Sequence, residues 1–138
     1  MKTITLLLTL SMITFATILR ADDDTPLEKQ MQILARGMRQ LSQQIANSAK
    51  LQENILLLET MKRATGESKT MDPKKTREIA QNDRAAFLAD YRTDLDELKD
   101  VFDQIENALK AAQFDKATSL LATVHSIKKE GHGKFKAD

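Results

Sequence analysis

The 138-residue chain has no cysteine, no tryptophan, one tyrosine, two prolines, four glycines and two histidines. Without cysteine there is no disulfide, so the stability of the fold must come from packing. The same absence removes every thiolate site for zinc or for an iron–sulfur cluster. So few glycines and prolines leave little material for a turn-rich β architecture, and strand alternation appears nowhere. Charge of one sign is lacking too. Basic and acidic residues nearly balance at a formal +1, and they are interspersed as on solvated helix faces. With no basic block, nothing points to nucleic acid.

A long apolar run is present in one place. "MKTITLLLTLSMITFATILRA" carries Lys2, then Ile4 to Leu19 broken only by Thr and Ser, then Ala21 before "DDD". The run is shorter than the ~20 residues a spanning helix needs. It has the layout of a secretory signal peptide, residues 1–21, with cleavage near Ala21 and an exported domain over 22–138. Removal takes away Lys2 and Arg20 and no acidic residue, so the formal charge goes from +1 to −1. No membrane span is expected after that removal.

The exported part reads as all-helical. Leu27, Met31, Leu34, Met38, Leu41 and Ile45 follow one another at alternating spacings of four and three. Leu88, Tyr91, Leu95, Leu98, Phe102, Ile105 and Leu109 do the same with three and four. Both are apolar seams of antiparallel helix packing. Thr25-Pro26 is an N-cap followed by Pro at the first helical position, starting a helix that runs to about Asn47. A second helix follows "NSAK", carries Leu51, Ile55 and Leu58, and fades near Gly66. A third starts around Gln81-Asn82-Asp83, with Asn82 as its cap, and ends near Ala112. A fourth starts near Asp115 and carries Ala117, Leu120, Leu121, Val124, Ile127 and Phe135. The long second connection holds at most one short helix, after Pro73. Four helices on mostly short connections predict an up-down-up-down four-helix bundle. In that topology the start of helix 1, the end of helix 4 and the long connection share one end.

That end carries the chemistry. His132, in "EGHGKF", lies roughly 6 Å from the bundle end and Met31 roughly 7 Å from it, at 1.5 Å per residue. A thioether and an imidazole are therefore level on two helices. Met and His are a recognised axial pair for an electron-transfer haem. With no Cys-x-x-Cys-His signature, such a haem would be held without a covalent bond. Met38 and His125 form a second level pair two turns deeper. A shallow slot leaves charged propionates in water, which favours the outer pair. His125 also falls further from the apolar stripe of helix 4 and reads as a solvent-facing flank, with Met38 as core. Gly131 leaves room beside His132, and Gly133 reads as a frayed helix end. Spacing alone leaves the plain alternative open: Met on a seam is ordinarily core filler, and His near a helix C-terminus is favoured by the macrodipole.

"LEKQMQIL" (27–34), "QIENALKAA" (104–112) and "KKEGHGKF" (128–135) resemble the soluble cytochrome b562 family. Cytochrome b562 is itself a standard example of the up-down-up-down bundle, so the resemblance and the helix count speak to one topology, not two. The resemblance implies one b-type haem, bound non-covalently by a Met early in helix 1 and a His at the end of helix 4. Those positions match Met31 and His132. It further implies an exported, periplasmic electron carrier with redox-protein partners. Leu34 and Met38 would line the pocket from helix 1, and Lys128 and Lys136, one turn either side of His132, would steady the propionates. The chain departs from the family in its second connection, where consecutive prolines are replaced by Pro73 alone, and in a shorter "AAQFDKA" turn. The rival from another class is a haem-free interaction or stress-response bundle. A bare metal site is poorly supported, since His125 and His132 lack clustered carboxylates. No nucleophile–base–orienter set stands out, so no catalytic residue is expected and the chain reads as a non-enzyme.

Overall fold

The protein is described here from a computed structural model covering residues 24–137, so the signal peptide expected over residues 1–21 lies outside the described part. Four helices make up the fold: α1 (Pro26–Gln44), α2 (Leu51–Ser68), α3 (Arg84–Lys110) and α4 (Phe114–Phe135). There is no strand among the described residues. None of these helices is long and apolar enough to cross a membrane. The close helix pairs are α1–α2, α2–α3 and α3–α4. Successive helices are thus neighbours, as an up-down-up-down bundle requires.

Thr25 starts α1 as expected, through a full capping box. Its hydroxyl accepts from the Glu28 amide at 3.3 Å, and the Glu28 carboxylate accepts from the Thr25 amide at 2.7 Å. Asn54, fully buried, closes the first turn. Its Nδ2 donates to the Gln44 carbonyl, and its Oδ1 accepts from Gln44 Nε2 at 2.8 Å. That pairing meets an end-of-helix carbonyl that would otherwise be orphaned. α2 runs past Gly66 to Ser68 because the Tyr91 hydroxyl on α3 donates to the Ser68 carbonyl at 3.0 Å. Gly37 lets α1 and α2 approach closely: a Cβ there would lie 2.6 Å from Met61 Sδ.

α3 begins one step later than its expected cap. Asn82 lies inside a 3-10 turn over Gln81–Asp83, and no side chain caps α3. Arg84 ties this entry down instead, Nε donating to the Ile79 carbonyl at 3.0 Å. The short helix expected after Pro73 is a 3-10 turn, Lys74–Arg77. Between α3 and α4 the chain turns on Ala112 at φ 57°. The Gln113 amide bonds the Ala108 carbonyl at 2.8 Å and the Ala112 amide the Leu109 carbonyl at 3.0 Å, a Schellman closure. α4 continues through Gly133, so that glycine is inside the helix and not a frayed end.

Core burial is uneven along the bundle. Nearer the two short turns, Leu41, Leu58, Phe102, Ile105, Leu109 and Ala117 are completely sealed. Toward the other end α1 passes from buried Leu34 to half-buried Met31 and Leu27. α4 passes from buried Val124 to half-buried Ile127 and then exposed His132. The bundle therefore thins where α1 starts and α4 ends.

Candidate functional site

At the thin end, each helix is held at a set height by contacts that do not involve the candidate ligands. The first turns of α1 are pinned from the 69–83 connection, where Lys74 pairs with Glu28 at 2.7 Å, and from α2, where Glu67 accepts from Gln30 at 2.7 Å. Met31 follows one turn after Leu27 and packs, half-buried, against the edge of the core. Leu34 and Met38 continue that face inward at 8 % and 5 % exposure.

On the opposite helix, Phe135 holds the last turn of α4 to α3. Its ring meets Phe87 edge-on at 5.3 Å and Tyr91 at 5.4 Å. Lys134 adds an ion pair to Asp94 at 3.1 Å. These contacts explain why the helix persists through Gly133 despite the poor helix propensity of glycine. Tyr91 is a structural peg throughout the ordinary pH range, because burial, then the nearby Asp72 carboxylate, pushes its phenol up to about 12.

His132 sits one turn before the α4 terminus and is exposed. Partial burial, then the charges of Lys128 and Lys136, lowers its pKa below the ordinary 6.5. The imidazole is therefore neutral at pH 7, with a nitrogen lone pair free to bind a metal. A Cβ on Gly131 would meet only the Phe135 ring edge, at 4.0 Å, so the space beside His132 is open. Lys128 and Lys136 are exposed and have no ion-pair partner among the described residues.

The two level pairs now separate. Met38 is sealed in the core while His125 is exposed on the flank of α4, so the deeper pair has no common opening. Met31 and His132 both stand at the thin end, on the two helices at the ends of the packing order, which are not one of the close pairs. The donor set is one soft neutral sulfur and one neutral imidazole. Among the described residues no group of three or more His, Asp or Glu side chains could hold a metal ion by itself. One thioether and one imidazole suit an iron whose other ligands arrive with a macrocycle better than they suit a bare ion.

Sequence periodicity had placed Tyr91 and Phe135 on apolar seams without showing that they interlock, and it carried no sign of Lys74–Glu28 or Lys134–Asp94. Such pairs depend on the offset between helices.

No curated protein and no solved structure matched the chain. The family described as cytochrome b562 matched residues 26–136, which takes in all four helices and both candidate ligands. A match from Pro26 to Lys136, over a bundle whose thin end presents a methionine and a neutral histidine, makes this chain a member of the cytochrome b562 family.

Proposed function

We propose that the chain is an exported one-electron carrier that holds one b-type haem without a covalent bond, with Met31 and His132 as axial ligands. The observation that carries this reading is the position of those two residues at the thin end of the bundle, on α1 and α4, which are not among the closely packed pairs. Family membership supplies the haem and the electron-transfer role. The haem, when bound, stores the single electron.

The chain's own residues do the rest. Met31 offers a neutral thioether, which favours the ferrous state and raises the potential. His132 would offer a ring nitrogen, whose pKa its surroundings hold below the ordinary 6.5. Leu34 and Met38 give a dry floor, and the exposed Lys128 and Lys136 balance carboxylates at the rim. Were Met31 and His132 both to hold the iron, no site would be left on it for oxygen or peroxide chemistry, which supports transfer over catalysis. The N-terminal 21 residues fit a signal that directs the protein to the periplasm, where it would meet other redox proteins.

The test is an optical titration with haemin, oxidised and then reduced with dithionite. The expected result is one-to-one binding with a sharp reduced α-band. The band should be lost in Met31→Ala and in His132→Ala and kept in Met38→Leu and His125→Ala. Free-haemin spectra at every ratio, from a protein fully helical by circular dichroism, would replace this reading with that of a haem-free interaction module.

A further inference from the structure

Charge is divided between the two sides of the bundle. α1 and α4 together carry seven basic residues and three acidic ones, whereas α2 and α3 carry six basic and ten acidic. α1 and α4 are the two ends of the packing order, so in a four-sided bundle they form the remaining side. Met38 and Leu41 of α1 belong to one core cluster with Leu121 and Val124 of α4. The basic helices therefore make one face, with the acidic helices behind it.

The two sides also use their charges differently. Half of the acidic residues on α2 and α3 are held in ion pairs: Glu53, Asp94, Asp96, Asp103 and Glu106. Of the bases on α1 and α4 only Lys134 is paired, to Asp94. Lys29, Arg36 and Arg39 on α1, Lys128 and Lys129 on α4, and Lys136 just beyond it are exposed. None of the six has an ion pair among the described residues. Of the three acids on these helices, Glu28 is taken by Lys74 and Asp115 lies at the far end of α4, which leaves Glu130 alone against the six. At 1.5 Å per residue the bases span roughly 12–15 Å along the helix axes. The screening length at 0.1 M salt is about 10 Å, so neighbouring fields within that span add.

We propose that the α1–α4 face is the docking surface for an acidic protein partner. This rests on the electron-carrier reading for its purpose, since the face lies on the helices that bear Met31 and His132. Uncompensated charge of one sign speeds encounter with an oppositely charged surface and rejects a like one. An anionic membrane fits less well. An interfacial helix buries an apolar face, and the one exposed large hydrophobic residue among those described is Leu56, on α2. A second copy would have to offer its α2–α3 side, where half of the acids are already engaged. Such a head-to-tail contact makes rings or filaments and not a defined pair.

The experiment titrates the full chain, free of haem, with polyglutamate and follows amide NMR shifts. One variant combines Arg36→Glu, Arg39→Glu and Lys129→Glu, with circular dichroism to confirm the fold. Wild type should bind with shifts centred on α1 and the last turns of α4, and more weakly as salt rises. The triple reversal should weaken binding at least about tenfold, because each reversed charge turns a small attraction into a small repulsion. Shifts centred on other bases, or equal binding by the triple variant, would overturn the proposal. So would tighter binding to phosphatidylserine vesicles than to polyglutamate, or self-association in sedimentation that the triple variant abolishes. Haemin titration of the same variant separates this proposal from the reading it rests on, and its binding should be unchanged. Normal haemin binding with no polyglutamate binding would strike the docking face alone. Polyglutamate bound on this face by a chain that never takes up haemin would keep the acidic-partner surface and end the carrier reading.

Discussion

Phe135→Ala tests whether the interlocked aromatics, and not the helix itself, hold the candidate ligand in place. The ring makes two edge-on contacts, at 5.3 Å with Phe87 and 5.4 Å with Tyr91. Such contacts contribute about 0.5–1.5 kcal/mol each beyond area burial, and a half-buried ring adds apolar burial, so truncation should cost about 2–3 kcal/mol. That loss falls beyond Val124, the last sealed residue of α4, and so acts on opening of the final turns and not on global unfolding. The opening equilibrium should rise about 30- to 150-fold at 1.4 kcal/mol per factor of ten. Amide hydrogen exchange should then accelerate by that factor at 132–136 and stay unchanged at Leu121 and Val124. Haemin affinity should fall in proportion to the closed fraction lost. Phe135→Leu, which keeps burial but not the ring edges, should show a smaller effect. Unchanged exchange at 132–136, or equal acceleration at Val124, would refute the idea that Phe135 anchors the His132 turn.

Three further outcomes follow from particular residues. Gly37→Ala places a Cβ 2.6 Å from Met61 Sδ and 2.7 Å from its Cγ. Overpacking of about 1–3 kcal/mol outweighs a helix-propensity gain of about 1 kcal/mol, so urea denaturation should show a net loss of up to about 2 kcal/mol. In a Met61→Ala background the same substitution should become stabilising. Ala112→Gly relieves a non-glycine residue at φ 57° and should raise stability by about 0.5–1 kcal/mol in a thermal melt. For His132, the folded pKa lies below its ordinary 6.5, so the unfolded chain takes up a proton first as pH falls. Stability from this residue, and haemin affinity with it, should be flat above pH 6.5 and decline below it. Removing the positive neighbours in a Lys128→Gln, Lys136→Gln double variant should move the His132 NMR titration upward.

The helical character, the seams of α1 and α3, the Thr25-Pro26 start and the family were all legible in the residues, because each is a property of one stretch of chain. Periodicity repeats within two turns, and a capping box spans four residues. What only the tertiary structure decided concerns how one helix is rotated and offset against the next. That relation sealed Met38 while leaving Met31 at an edge, carried α4 through Gly133 on the strength of Phe87 and Tyr91, and extended α2 to the Tyr91 hydroxyl. It also moved the α3 entry from an Asn82 cap to Arg84 and its carbonyls. No single helix encodes its neighbour's offset; side chains from all four set it together, and the open end of the bundle is where that joint packing runs out.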